Sequence, residues 1–444
     1  MGTLAKIALA VLAISFMVFV TFFGRLPALR HTPIAWLHRL LWVHLPGGLA
    51  ALDRRFTGGR AASSCARFFN YMMYGRHPAV LIFFVVLLVG GEALYLPAAW
   101  PQLSTAQKAT GSVAMVLPYV FLYLSAASDP GAVTAANHGR EMARYPYDFT
   151  LFHPGAACAT CRRPKPARSK HCGVCGRCVA RCDHHCIFIN NCVGAANHRW
   201  FLLLLLSTAC LTLYGGVLGL RLMTAQMRRR FPHWALLPWR ARGGRGMPLA
   251  DWLVVWGWGM QNGGRGAGGD GTGGTGGVWL AAVTLLALML SPLVWALLGY
   301  HLWLVYCGTT TNESMKWSDW QADMDEGLAW KRRLDPGRAR DPAVEPAWTR
   351  WPVEAEQVLV RTRDGRPPAG ERPLPGHGEW EPVWRLRDVE NLYDLGFWDN
   401  LVDVFVPYFM FRDPSAPAAA DRLQNREKKK KKKTKRRARN FYLA

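Results

Sequence analysis

Acidic side chains are scarce in this chain of 444 residues: 30 Asp and Glu stand against 54 Lys and Arg, a formal net charge of +24. Much of the excess sits in loops and the C-terminal tail, so it speaks of anionic lipid headgroups or a polyanionic ligand more than of the fold. Charge of either sign is almost missing from several long apolar runs, and 50% of the residues are apolar. That excludes an ordinary soluble globular protein and points to a membrane protein. Glu92 and Arg221, near run ends, are too little polarity to line a channel or transport path. The Gly-rich stretch 257–277 lacks a Gly-Lys-Ser/Thr ending, which disfavours a nucleotide site. Dispersed cysteine pairs are missing as well. Eight of the 11 cysteines crowd into residues 158–192, a metal pattern that belongs in a reducing compartment, the cytosol.

Five runs are long and apolar enough to span a bilayer: about 4–23, 78–96, 111–127, 200–223 and 278–306. The first exceeds a typical signal-peptide core, and no small-residue cleavage site follows it, so it reads as a helix that stays. Residues 24–76 carry eight arginines against the single acid Asp53, which places them in the cytosol. Part of that segment, 36–49, suits the membrane surface. Alternation then puts 226–277 in the lumen, although its seven arginines argue the other way. Residues 314–375 are charged and Pro-rich and read as a loosely ordered insert. The chain divides into three spans with a basic loop (1–136), a cysteine-rich domain (137–199), two spans with a Gly-rich loop (200–309) and a cytosolic C-terminal region (310–444). The fold class is an all-α multi-pass membrane protein with a small zinc-stabilised cytosolic domain.

Residues 158–192 contain eight cysteines and three histidines with almost no apolar run, so a hydrophobic core cannot fold them. Cys158/Cys161 and Cys172/Cys175 have the two-residue spacing with which two thiolates on one turn reach a tetrahedral zinc. His171 and His185 could complete the shells. Two structural zincs use eight ligands of the eleven available, so three soft side chains remain for chemistry. Spacing does not decide which three.

The run Asp183-His184-His185-Cys186, with the cysteines before it and Asn190-Asn191-Cys192 after it, resembles the Asp-His-His-Cys protein S-acyltransferases, or palmitoyltransferases. The resemblance implies one zinc on Cys158, Cys161, His171 and Cys178 and a second on Cys172, Cys175, His185 and Cys192. It leaves Cys186 as nucleophile, His184 as general base and Asp183 to fix the imidazole, roles those residues could fill unaided. Cys182 is an extra cysteine, read as a buried thiol rather than an alternative acyl carrier. The competing reading of this stretch is a zinc module without catalysis, a membrane scaffold that recruits a partner.

Further motifs fit the same family. Asp129-Pro130-Gly131 resembles its turn between membrane and cysteine-rich domain, while Asp335-Pro336-Gly337 has the same letters without the context. Asn197 and Phe201 match its closing pattern. Thr310-Thr311-Asn312-Glu313 resembles its Thr-Thr-x-Glu motif, whose hydroxyls and acid are expected to hold the 183–186 loop. Asn391-Leu392-Tyr393-Asp394-Leu395-Gly396 resembles its C-terminal element, with Asn391 and the aromatic anchoring the tail. The resemblance implies two structural Zn2+ and palmitoyl-CoA as acyl donor, its CoA phosphates expected near Arg168, Lys170 and Arg181. Most members carry Cys-Pro-Trp-Val where Cys186 is followed here by Ile187-Phe188-Ile189. That aliphatic, with five spans, is similar to the fungal branch that acylates SNAREs and other membrane proteins on juxtamembrane cysteines in the endoplasmic reticulum. The lysine run 428–433 and the basic residues after it would meet anionic lipid, not nucleic acid.

Overall fold

The computed structural model describes residues 29–240, 246–262, 276–335, 337–368 and 374–406, with positions 16, 17, 19–21 and 24 ahead of them. Most of the expected first span (4–23), much of the Gly-rich stretch and the polybasic tail lie outside these residues. The chain divides into two compact units, Met1–His77 and Pro78–Ala444. In the first, α1 (Pro33–Arg39) runs through a π turn (Leu40–His44) into α2 (Leu45–Thr57), and α3 (Arg60–Tyr74) follows a tight turn. The lone acid Asp53 closes that turn by accepting from the Ala62 amide (2.8 Å).

In the second unit, four helices among the described residues are long and apolar enough to cross a membrane: Ala79–Gln102, Thr105–Ala127, His198–Arg230 and Gly277–Tyr306. We label the underlying α-helices α4 (Ala79–Ala99), α5 (Thr105–Ala127), α7 (His198–Arg230) and α9 (Gly276–Tyr306), with the short α6 (His138–Met142) and α8 (Leu249–Asn262) between them. Helix α5 starts six residues before the expected 111 because Ser104 and Gln107 cap each other's backbone amides (3.3 and 2.9 Å) and satisfy the first polar turn. Helix α7 packs on α5 and α9, and α9 on α4. The α7–α9 crossing is close: a Cβ at Gly216 would lie 2.8 Å from Leu288 Cδ2, and one at Gly219 would overlap Thr284 Oγ1. Small residues of this kind let apolar helices approach in lipid.

Between α5 and α7 the cysteine-rich segment folds as two antiparallel ribbons. In the first, β1 (Lys170–Cys172) pairs β2 (Arg177–Val179); in the second, β3 (His184–Cys186) pairs β4 (Asn191–Val193). The second is stitched to the C-terminus of α5, whose last carbonyls have no intrahelical partners, while the first bridges through Val179 to Ala132 just beyond it. Asn191 Nδ2 donates to the carbonyls of Ser125, Ala126 and Ser128 (3.3, 3.2 and 2.9 Å), and Asn197 Nδ2 to Ser125 and Cys192 (3.3 and 2.9 Å).

After α9 come α10 (Thr311–Asp325), a sheet ordered β6-β5-β7, and α11 (Phe397–Phe405). The sheet joins β5 (Ala329–Arg333), β6 (Gln357–Arg361) and β7 (His377–Pro382) in antiparallel pairs. This corrects the expectation that 314–375 is loosely ordered. Trp351, Val358 and Leu392 are scattered through charged sequence and show no period, yet they share one buried core with Tyr145, Phe149 and Tyr393. The body of the molecule is nonetheless mostly helical.

Candidate active site

The ribbon β3–β4 sorts its side chains by the alternation of a strand. His184 and Cys186 point to one face and His185 to the other, where it stands directly across from Cys192. In β1–β2, His171 likewise faces Cys178. Two tetrads result: Cys158, Cys161, His171 and Cys178, and Cys172, Cys175, His185 and Cys192, each with its ligand atoms within 4.8 Å of one another.

Their geometry fits zinc. Zn–S bonds of about 2.3 Å and Zn–N bonds of about 2.0 Å at tetrahedral angles give S···N edges of about 3.5 Å and S···S edges of about 3.8 Å. His171 Nδ1 lies 3.5, 3.4 and 3.8 Å from the sulfurs of Cys158, Cys161 and Cys178. His185 Nδ1 lies 3.7, 3.4 and 3.6 Å from those of Cys172, Cys175 and Cys192, and the sulfurs of Cys175 and Cys192 are 3.6 Å apart. Cys186 belongs to neither tetrad. Cys182 is buried beside Cys172 and Cys192, also outside the tetrads.

Cys186 instead sits among apolar residues of the spans, Leu122, Phe201, Leu204, Leu205 and Leu298. His184 Nδ1 is 2.6 Å from Asp183 Oδ2. A carboxylate can only accept, so Nδ1 carries the proton and Nε2 is the acceptor of the neutral ring. Cys186, two residues on, projects from the same face of the ribbon as this ring. Burial opposes charge on His184, but the bond to Asp183 and the nearby Cys186 outweigh it and push the imidazole up to about 10. Burial likewise opposes charge on Asp183, yet the bond from His184 and the nearby imidazoles hold its carboxyl well below the usual range. Standing two residues from Cys186 on the same face of the ribbon, the ring is placed to exchange a proton with that thiol.

Asp183 is fixed from outside the ribbon. The Thr311 amide donates to its Oδ1 and the Thr311 hydroxyl to its Oδ2 (both 2.8 Å), while the Asn312 amide donates to its main-chain carbonyl (3.1 Å). Thr310 and Glu313 cap each other at the start of α10 (3.2 and 3.0 Å). Glu313 reaches Arg168 rather than the 183–186 loop, in a two-pronged buried ion pair (2.7 and 2.6 Å). Arg168 also donates to the Gly308 carbonyl (3.0 Å) and lies over the Tyr393 ring (4.4 Å). Gly308 has φ +65°, and a Cβ there would meet Asp394 Cα at 2.5 Å, so the exit from α9 admits only glycine. Asn391 donates to the Cys307 carbonyl (2.8 Å) and Tyr393 to that of Pro146 (2.9 Å), which anchors the C-terminal element there.

Two expected phosphate contacts are corrected by burial. Arg168 is 1% exposed and paired with Glu313; Arg181 is 2% exposed and paired with Asp403 (3.1 Å). Each is used up by a carboxylate brought from far along the chain. Lys170 is exposed at the start of β1, and Lys316, over the Phe152 ring, is close enough to Lys165 and Lys170 to feel their charge.

Sequence reasoning missed two buried histidines beside Asp183. A ring nitrogen of His198, one of His301 and a carboxylate oxygen of Asp183 lie within 4.8 Å of one another. A signal was present, since an ionisable residue inside a span marks a site by default, and His301 interrupts an otherwise apolar run.

Residues 152–318 match the family profile described as DHHC palmitoyltransferase. Over nearly their whole lengths the chain is similar to three curated fungal proteins. It is 60% identical to a palmitoyltransferase SWF1 of Neurospora crassa, covering 95% of this chain and 96% of that one. The identity is 40% to a palmitoyltransferase swf1 of Emericella nidulans (92% and 98% covered) and 32% to one of Schizosaccharomyces pombe (91% and 96%).

Proposed function

The chain belongs to the DHHC palmitoyltransferase family, a protein S-acyltransferase by that membership, and on this premise we propose that Cys186 carries the acyl group between two thiols. The observation behind the proposal is that Cys186 lies outside both zinc-fitting tetrads while His184, two residues away, points to the same face of the ribbon. His184 takes the thiol proton, and the Cys186 sulfur attacks the thioester carbonyl of a long-chain acyl-CoA such as palmitoyl-CoA. As the carbon–sulfur bond to CoA breaks, His184 returns the proton to the CoA sulfur. The second step repeats the chemistry: His184 deprotonates a substrate cysteine, which attacks the Cys186 thioester and releases Cys186 as a thiol. Asp183 holds the imidazole in one tautomer and stabilises its cation throughout. Zinc on the two tetrads would cross-brace the ribbons and take no part in the transfer.

Location supports the substrate class. Cys186 packs with residues of α5, α7 and α9, so an acyl chain attached there is positioned to enter among the spans. Lys165, Lys170 and Lys316, none of them in an ion pair among the described residues, offer the CoA phosphates a basic surface in place of Arg168 and Arg181. A substrate thiol must come to the same level, which suits cysteines beside a transmembrane helix, as in SNARE-type proteins. The cysteine-rich domain faces the cytosol, the membrane is that of the endoplasmic reticulum, and the tail holds anionic lipid. Incubation of the purified chain with labelled palmitoyl-CoA tests the acyl-enzyme: hydroxylamine-sensitive label is expected on the wild type and none on Cys186→Ser. Equal label on both sinks the proposal.

A further inference from the structure

His184 rests on one side against a corner of two rings that come from different helices. Phe201, in the first turn of α7, meets it edge-on with centroids 5.3 Å apart and planes at 74°. His301, from the last part of α9, lies tilted over it at 5.7 Å and 31°, and His301 and Phe201 close against each other at 5.0 Å. His301 is 4% exposed, and its Nδ1 is buried with no hydrogen-bond partner among the described residues. One helical turn earlier on the same face, Leu298 packs in the cluster that holds Cys186. A single stretch of α9 therefore touches both members of the thiol–imidazole pair.

We propose that His301 is a positioning residue for acyl transfer, its ring walling His184 so that the imidazole keeps its bond to Asp183 and its reach to Cys186. This rests on the acyl-enzyme reading above. A side chain 28% exposed and held by one hydrogen bond can turn about χ1 and χ2; a corner of two rings on one side removes the rotamers that point there. The ring does this by shape. Its Nδ1 makes no bond to a neighbour, so replacing the imidazole by another flat ring forfeits no such bond at that atom and removes a buried unpaired polar atom. The four cysteine and histidine ligands of each tetrad are complete without it.

The test uses the full chain in lipid nanodiscs, with the rate of Cys186 labelling followed over a range of palmitoyl-CoA concentrations. His301→Ala should lower the maximal labelling rate about tenfold, part of what a well-placed base contributes. The half-saturating concentration should stay unchanged, zinc should remain at two per chain, and alkylation of Cys186 by iodoacetamide should slow in step. His301→Phe should restore both rates to near wild type. The inference is overturned by a wild-type rate in His301→Ala, or by a rise in half-saturating concentration alone. A His301→Phe chain as slow as the alanine variant with full zinc overturns it too, and that variant decides the matter if His301→Ala fails to fold. One zinc fewer in His301→Phe than in the wild type would make the imidazole a ligand and likewise overturn it. Label missing from the wild type, or present on Cys186→Ser, would instead overturn the acyl-enzyme proposal.

Discussion

The two ribbons of the cysteine-rich domain are built alike and end up with different work. In each, a Cys-x-x-Cys turn precedes a three-residue strand whose central histidine faces a cysteine across the ladder, His171 with Cys178 and His185 with Cys192. In each strand a cysteine follows the histidine and points to the other face. In the first ribbon that cysteine is Cys172, and the second tetrad takes it; in the second it is Cys186, and no tetrad does. The residue preceding the histidine differs as well: Lys170 is exposed, whereas His184 is bonded to Asp183. On the proposed mechanism, a reactive thiol arises where a repeating zinc scaffold runs out of metal to share and a base stands two residues away on the same face.

Taking the metal away attacks what the ribbons have in common and should have the largest effect. Structural zinc in small domains is worth about 10–16 kcal/mol. His171→Ala and His185→Ala should therefore each drop metal content from two per chain to one and abolish transfer, checked by metal analysis alongside palmitoylation. Equal loss from both variants supports the likeness; a working His171→Ala enzyme would break it. The equivalent strand positions should differ sharply. His184→Ala should slow labelling of Cys186 by about 10²–10⁴-fold with zinc intact, as expected for loss of a general base. Lys170→Ala should raise the half-saturating acyl-CoA concentration only about 2–5-fold, the scale of one exposed charge. Similar losses at both positions would erase the distinction. The smallest change in rate is expected away from the ribbons. Glu313→Gln leaves Arg168 buried and unpaired, which should cost about 3–5 kcal/mol of stability, seen as a lower melting temperature with the zinc retained.

Much of this was legible in the sequence, and the parts that were not share a cause. Four of the five expected spans coincide with helices long and apolar enough to cross a membrane, because length and hydropathy are properties of a single stretch. The two Cys-x-x-Cys pairs could be named because ligand spacing is a local constraint, whereas the sorting of ligands into two tetrads came from the family resemblance, since spacing does not decide it. The sheet β6-β5-β7 was missed because its apolar positions become a core only when Tyr145, Phe149 and Tyr393 arrive to cover them. Arg168 and Arg181 looked like surface charges for the same reason. Their partners, Glu313 and Asp403, lie 145 and 222 residues further along the chain.

Order along the chain determined the membrane spans, the kinds of metal ligand and the presence of surplus soft side chains, since each follows from what neighbours in sequence can do within a turn or two. Only the tertiary structure decided which cysteine stands clear of the tetrads, which arginines are withdrawn from solvent, and that His301 of α9 lies against the His184 imidazole. Those outcomes are sums over contacts between distant segments, and residue spacing carries no information about such sums.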